Sequence, residues 1–190
     1  MVVSKVGQEI IGIFNRDISA SLSINQMAKI LKKAYPNVNN TANNLIDENI
    51  LNKNQEGHSY QCSINLENEK ALLLLSLNEI MKKEKYLKKI KKPREFLEEI
   101  KEIKTKFKIH TIFVHSKKLY FILDHIYDQE AIKNKFSAIK QFKLVFMSKE
   151  DFAEFLKSGQ DKNPVIFYAP KRYYELVNEN HHKKIEVVVR

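Results

Sequence analysis

The residues best suited to recognition chemistry lie between positions 37 and 44, where asparagine recurs in a short polar segment. An asparagine amide can accept from N6 and donate to N7 of adenine, which makes it a natural reader of the DNA major groove. Asparagine is also a poor helix former, because its side chain competes for backbone hydrogen bonds. The candidate base readers are Asn37, Asn39, Asn40, Thr41, Asn43 and Asn44. The alternative is that each is an ordinary solvated residue in a chain rich in Lys, Ile and Asn.

Three lysines and a histidine flank this segment and could bind the phosphate backbone. Lys32 and Lys33 follow an apolar-periodic stretch just before the asparagines, and Lys53 and His58 lie on either side of Gly57. Phosphate contacts of this kind fix the register of a protein on DNA without reading its sequence.

Apolar spacing and capping residues predict the elements that would position these side chains. Two helices are indicated by the apolar positions Ile24, Met27, Ala28, Ile30 and Leu31, and by Val38, Ala42, Leu45 and Ile46. Ser23 is a favourable N-cap for the first helix. Pro36 disfavours a helical Tyr35, so the first helix should end near Ala34. A two-stranded hairpin that turns at Gly57 should follow.

Helix, short turn, helix and hairpin over about residues 5 to 66 resemble the winged helix-turn-helix family of transcription regulators. The resemblance implies that the second helix enters the major groove and that the hairpin, the wing, meets phosphate or the minor groove. We therefore predict a DNA-binding domain over residues 1–67, with an opening helix that packs beneath the motif. A winged-helix adaptor that binds protein rather than DNA remains open.

Residues 68–93 predict a long connecting helix with a basic end. Its leucines between Ala71 and Ile80 exceed what one small domain readily buries, so we predict a homodimer. The run from Lys82 to Lys92 is most simply a solvated helix face, with a phosphate-contacting surface as the alternative.

Residues 94–190 alternate between helical and strand patterns, so the whole chain should be α+β. The expected elements are a helix from Phe96 to Phe107, strands Ile109–Val114 and Leu119–Leu123, a helix Gln129–Ile139, a strand Phe142–Met147, a helix Lys149–Lys157 capped by Ser148, a strand Val165–Tyr168, a helix opening at Pro170 and a last strand from Ile185.

The segments 142–156 and 164–176 of this second domain resemble the C-terminal half of minimal nucleotidyltransferases from archaea and bacteria. In that family a strand ends in Gly-Ser, and the next strand bears two spaced aspartates that bind metal. Here His115 replaces the glycine, Ser116 remains, and Asp124 is a single aspartate. The resemblance implies a degenerate, catalytically silent fold, in which His115, Ser116, Lys117 and Asp124 could hold an anionic ligand. The alternative is an active nucleotidyltransferase-type enzyme or a toxin–antitoxin component tethered by the winged helix.

Composition limits the remaining possibilities. A hydrophobic content of 43% with 29% charged residues is typical of a globular protein with a core. We find no membrane-length apolar run, no secretory leader and no zinc-type spacing among Cys and His, and the single Cys62 cannot form an internal disulfide. These features predict a cytoplasmic protein without membrane association, metal or cofactor.

The formal charge of +10 favours a polyanionic partner, of which nucleic acid is the commonest. The sequence therefore predicts an archaeal-type, sequence-specific, double-stranded DNA-binding transcriptional regulator without catalytic residues. Its C-terminal domain would mediate dimerisation, partner docking or ligand sensing, and the small-molecule effector is left open.

Overall fold

The computed structural model describes residues 4–57, 59–136, 140–159 and 162–188, with side chains as far as residue 180. Its elements are α1 (Lys5–Arg16), α2 (Ile24–Leu31), α3 (Tyr35–Asp47), β1 (Leu51–Glu56), β2 (Ser59–Ile64), α4 (Glu69–Leu87), α5 (Pro93–Lys106), β3 (Ile109–His115), β4 (Lys118–Leu123), a 3-10 turn (Ile126–Asp128), α6 (Gln129–Lys135), β5 (Lys143–Met147), α7 (Lys149–Lys157), β6 (Val165–Tyr168) and α8 (Pro170–Val188). The fold is α+β, as predicted.

Two compact units make up the chain, Met1–Asn78 and Glu79–Arg190, and the division falls within α4. The domain boundaries expected from the sequence, at 67/68 and 93/94, stay a prediction about which segments fold independently. Within the described residues, no helix combines the length and apolar character needed to cross a membrane.

The first unit has the helix, helix, helix, hairpin order of a winged helix. Ser4 caps α1, and Ser23 forms a reciprocal capping box with Gln26 at the start of α2. The strands β1 and β2 pair antiparallel and turn at Gly57, whose φ of 59° is a conformation that favours glycine. Buried apolar residues from all three helices and the hairpin form the core: Ile10, Ile11, Phe14, Met27, Ala28, Val38, Ala42, Leu45, Ile50, Leu51, Cys62 and Ile64.

The turn between α2 and α3 differs from the prediction. The first helix ends at Leu31 rather than near Ala34, because Lys32 adopts a left-handed conformation with φ of 53°. Tyr35 is the first residue of α3 and Pro36 lies in its first turn, although we expected Tyr35 to be non-helical. The amides of a first helical turn have no intrahelical acceptor, so proline loses no hydrogen bond there.

Two buried or half-buried asparagines fasten α1 to the beginning of α4. Asn15 Nδ2 donates to the carbonyl of Leu75 at 3.1 Å, and Asn78 Nδ2 donates to the carbonyl of Gln8 at 3.2 Å. Such bonds satisfy polar groups inside an otherwise apolar interface. The first half of α4 is therefore part of the packing of the first unit.

The second unit is built on a four-stranded sheet of order β5-β4-β3-β6. The strands β3 and β4 form an antiparallel hairpin, and β6 pairs antiparallel with β3 on its other side. The strand β5 runs parallel to β4, which requires a crossover connection, and α6 lies in that connection. The structure leaves the nucleotidyltransferase resemblance of this unit a prediction.

Both faces of this sheet are covered, because successive strand residues point to opposite sides. One face packs against α5 and α6 in a single apolar cluster that includes Phe96, Ile100, Phe121 and Ile132. On the other face, Phe113 stacks on Tyr120 and contacts rings from α7 and α8, among them Phe152, Phe155 and Tyr173. The aromatic residues of this unit are mostly core residues.

One charged side chain is completely buried in the second unit. The Glu79 carboxylate on α4 accepts a hydrogen bond from the backbone amide of Ile166 at 3.1 Å, and Lys82 Nζ lies 3.1 Å from its other oxygen. The Tyr174 hydroxyl also donates to it, at 3.4 Å. A buried carboxylate needs such partners, since its desolvation is costly.

Two elements of the second unit differ from the prediction. The helix expected over Gln129–Ile139 is observed as α6, Gln129–Lys135, and residues 137–139 lie outside the described part. A strand expected from Ile185 is instead the continuation of α8 as far as Val188, so that prediction was wrong. The strand preference of Ile and Val depends on pairing and burial, whereas an established helix gains one hydrogen bond with each added residue.

Candidate nucleic-acid interface

The second helix of the motif, α3, carries a polar stripe opposite its buried side. Val38, Ala42 and Leu45 face the core, whereas Asn37, Asn40 and Asn44 are exposed. Positions i, i+3 and i+7 lie on one side of a helix, so the three amides form a row. Within the described chain no residue hydrogen-bonds these three side chains, so their donors and acceptors remain available.

The other predicted base readers occupy the flanks of α3 and are half-buried: Asn39, Thr41 and Asn43. The Thr41 hydroxyl donates to the carbonyl of Asn37 at 2.9 Å, and the Tyr35 hydroxyl donates to Asn39 Oδ1 at 3.3 Å. Thr41 and Asn39 are thus partly engaged within their own helix. The row of Asn37, Asn40 and Asn44 is better placed to meet a partner.

The predicted phosphate contacts differ in availability. Lys32 is exposed in the turn between α2 and α3, whereas Lys33 Nζ lies 3.1 Å from a carboxylate oxygen of Glu9. Lys53 is exposed on β1, with its ammonium 4.6 Å from the ring centroid of Tyr60. His58 lies outside the described residues. Lys32 and Lys53 are therefore the stronger phosphate candidates of the set.

The hairpin is joined to the turn before α2 through Cys62. The backbone amide of Cys62 donates to Leu22 at 2.8 Å and the amide of Leu22 donates back at 3.0 Å, so Leu22 adds a one-residue third strand. The Cys62 side chain is fully buried. Burial raises the pKa of its thiol, despite the opposing charge of Lys53, so the side chain acts as a small apolar residue.

The predicted ligand site of the second unit is divided between the two ends of a hairpin. His115, Ser116 and Lys117 lie at the β3–β4 turn, where Ser116 and Lys117 have φ values of 47° and 61°. Asp124 follows the far end of β4, about 20 Å away at 3.3 Å per strand residue. The predicted ligand residues therefore do not share one strand end: Asp124 lies beside His110, and His115 lies at the opposite end of the hairpin. The strand directions of an antiparallel hairpin separate them.

Asp124 instead forms a local ion pair. Its Oδ1 lies 2.5 Å from His110 Nε2 and 3.7 Å from Lys149 Nζ. The hydrogen bond from His110, together with the nearby positive charges, lowers the pKa of the Asp124 carboxyl. In the described part of the chain, no three His, Cys, Asp or Glu residues are grouped so that they could hold a metal ion.

Charge is distributed unevenly between the two units. The first unit holds seven of the 33 Lys and Arg residues and seven of the 23 Asp and Glu residues, so its formal charge is zero. The second unit holds the remaining 26 and 16, and therefore the whole charge of +10. The division lies at residue 78, so the basic run from Lys82 to Lys92 belongs entirely to the second unit.

Comparison with known proteins gives only a partial likeness. No family model and no curated protein matches the chain. It is similar to MepR, a transcription regulator of the Staphylococcus aureus multidrug efflux pump MepA, with 17% identity, a TM-score of 0.38, and coverage of 55% of this chain and 76% of that chain. A MepR mutant bound to oligodeoxyribonucleotide gives 15% identity, a TM-score of 0.37, and coverage of 54% and 75%. Because the sequence identities and the TM-scores are this low, the interpretation of the chain depends on its own residues.

Proposed function

We propose that this protein is a sequence-specific, double-stranded DNA-binding transcriptional regulator that reads the major groove with α3. The observation that carries the proposal is the row of exposed Asn37, Asn40 and Asn44, with free amides, on the second helix of a helix-turn-helix. Each amide can form a bidentate pair with adenine, and a short helix fits the major groove. Lys32 and Lys53 would supply phosphate contacts on either side of that helix.

Selection of bound duplexes from a random pool tests this proposal. We expect an enriched sequence that contains adenines at the positions facing α3. The double variant Asn40→Ala, Asn44→Ala should lose that enrichment, whereas Asn54→Ala on the exposed β1 strand should retain it. Selection that yields no common sequence with the wild-type chain would refute sequence-specific reading.

The zero formal charge of the first unit favours a second candidate, a winged-helix adaptor that binds another protein. DNA-binding domains usually present an excess of positive charge to phosphate. Retention of duplex binding at moderate salt by the full chain, with loss in the Asn40→Ala, Asn44→Ala variant on the selected sequence, would exclude the adaptor. Absence of duplex binding would support it.

We further propose that two copies of the chain form a homodimer through α4. Four large apolar side chains of this helix, at spacings of four, three and one residues, are 44–54% exposed: Leu73, Leu77, Ile80 and Met81. Such a row on a helix is a recurrent dimer contact. Light scattering at micromolar concentration should give twice the chain mass of 22.4 kDa. The Leu73→Asp, Leu77→Asp variant should be monomeric, and a wild-type particle of one chain mass would remove this part of the proposal.

We also propose that the second unit is catalytically silent. Metal-assisted nucleotidyl transfer needs converging carboxylates, but Asp124 is engaged by His110 and Lys149. Incubation with labelled nucleoside triphosphates, Mg²⁺ or Mn²⁺, and protein, tRNA or DNA acceptors should give no incorporation. Incorporation that disappears in Asp124→Asn would instead establish an enzyme.

A further inference from the structure

Six exposed lysines of the second unit come from three separate stretches of sequence. We refer to them as the lysine cluster: Lys88, Lys89, Lys91, Lys117, Lys140 and Lys143. They lie in the junction between α4 and α5, in the β3–β4 turn, and in the segment that leads into β5. Sequence spacing alone does not reveal the cluster, since more than 20 residues separate each stretch from the next.

One backbone hydrogen bond and two bonds from a glutamine side chain bring these three stretches together. The amide of Lys143 donates to the carbonyl of Lys117 at 3.2 Å, and Lys143 is the register partner of Lys118 on the neighbouring strand. Two residues earlier, Gln141 forms a reciprocal pair with the backbone of Lys91: its Oε1 accepts from the Lys91 amide at 3.1 Å and its Nε2 donates to the Lys91 carbonyl at 3.2 Å. The fold therefore places the three lysine-bearing stretches next to one another.

The charges of this surface are uncompensated in the described part of the chain. None of the six lysines there forms an ion pair, and Glu84 is the only acidic residue between positions 83 and 94. Some other lysines of the unit are neutralised locally: Lys106 and Lys135 pair with Glu102, and Lys92 pairs with Glu95. Like charges held close together raise the free energy of the isolated protein, so a polyanion would relieve their repulsion.

We infer that the lysine cluster is a second DNA-contact surface, which binds the phosphates of duplex DNA without reading its sequence. This inference rests on the proposed function and supplies the electrostatic attraction that the neutral first unit lacks. Lysine point charges suit phosphates spaced along a duplex. None of the large apolar side chains that are exposed in the described residues lies in these three stretches, which disfavours stacking on single strands and insertion into membranes.

The test compares two triple variants of the full chain. The cluster variant is Lys91→Gln, Lys140→Gln, Lys143→Gln, and the control variant is Lys101→Gln, Lys104→Gln, Lys108→Gln, which removes the same charge from exposed lysines on α5 and just after it. Fluorescence anisotropy with a random-sequence duplex, between about 50 and 200 mM salt, gives the slope of log K against log salt. We expect the slope to fall by roughly three units in the cluster variant and by less than one in the control.

Equal slopes in the two variants, or no change in either, would overturn the inference. Circular dichroism should first show that both variants are folded like the wild type. Anionic phosphatidylserine vesicles provide a further arm: cluster-dependent vesicle binding with an unchanged duplex slope would reassign the surface to membranes and would also overturn the inference.

The same reagents separate this inference from the proposed function. If Asn40→Ala binds the selected duplex as the wild type does, while the cluster variant still loses its slope, the α3 assignment fails and the second contact surface stands. If Asn40→Ala loses sequence preference while cluster and control variants behave alike, the regulator stands and the second surface fails.

Discussion

The two units offer a nucleic acid opposite kinds of surface. The first unit has no formal charge and displays a row of neutral amides on α3, whereas the second carries the entire +10 and displays unpaired lysines. Amides on base edges discriminate between sequences, while lysines on phosphates supply affinity that is independent of sequence. Under the proposed function, specificity and affinity would therefore arise in different units of the same chain.

The interiors of the two units also differ in charge, since the first buries neutral polar side chains and the second buries a carboxylate. The first unit uses neutral asparagine side chains, Asn15 and Asn78, to satisfy carbonyls between α1 and α4. The second unit buries the charged Glu79 beneath β6, beside an aromatic core. A neutral amide costs less to bury than a carboxylate, so the second unit depends more strongly on a single residue.

The largest expected effect follows from that dependence. Glu79→Ala should lower the free energy of unfolding of the second unit by about 3–5 kcal/mol, because Lys82 and the amide of Ile166 lose their acceptor. Hydrogen exchange should show loss of protection in β3, β4 and β6 and little change in α1 to α3. Glu84→Ala, an exposed change on the same helix, serves as the control. Equal loss of protection in both units would show that they unfold together.

The next effect concerns the amides of α3. Asn40→Ala should weaken binding to the selected duplex by about 1–3 kcal/mol and leave binding to random duplexes nearly unchanged. Asn39→Ala is the matched control, since the Asn39 side chain is half-buried and accepts from the Tyr35 hydroxyl. Titrations of both variants by anisotropy measure the difference. Equal losses for Asn39→Ala and Asn40→Ala would mean that the exposed row is not the reading surface.

Single lysines of the first unit should have smaller effects. Lys53→Gln and Lys32→Gln should each reduce the salt slope by about one unit if the side chain touches phosphate. Lys33→Gln should leave the slope unchanged, because Glu9 already neutralises that charge. A larger change in salt slope for Lys33→Gln than for Lys53→Gln would contradict the expectation that Lys53 binds phosphate and Lys33 does not.

The smallest effect is a pH dependence of the second unit. Hydrogen bonds from Lys106 and Lys135 lower the pKa of Glu102 from its ordinary 4.5 to about 2. A carboxylate with a lowered folded-state pKa stabilises the fold above its unfolded-state pKa, and this contribution disappears as the pH falls from 4.5 towards 2. The melting temperatures of wild type and Glu102→Gln should therefore converge over that interval. A difference that is constant with pH would exclude this ion network as its source.

Local patterns in the sequence predicted most of the elements. Ser23 and Ser148 are the N-caps of α2 and α7, and the β3–β4 hairpin turns where expected, because these features depend on residues a few positions apart. The predicted hairpin around Gly57 is also observed. The row on α3 was predicted as a group, but periodicity alone did not separate the exposed Asn40 from the half-buried Asn39.

Features that depend on contacts between residues far apart in the chain could not be predicted from the sequence. The ends of β3 and β4 were known, yet the separation of Ser116 from Asp124 follows only from the antiparallel register. The lysine cluster likewise depends on the hydrogen bonds that Gln141 and Lys143 make with segments far along the chain. Neither feature is indicated by a pattern of residues that are close together in the sequence.

Because Cys62 is buried, the reactivity of its thiol can be used to measure local opening of the first unit. It is the only cysteine of the chain, it lies on β2 with its side chain in the core, and its backbone is hydrogen-bonded in both directions to Leu22. A thiol reagent can reach this sulfur only when that region opens, so the labelling rate reads out a local opening equilibrium. The rate with and without duplex DNA would then record, without any introduced probe, how strongly a bound partner holds the winged helix closed.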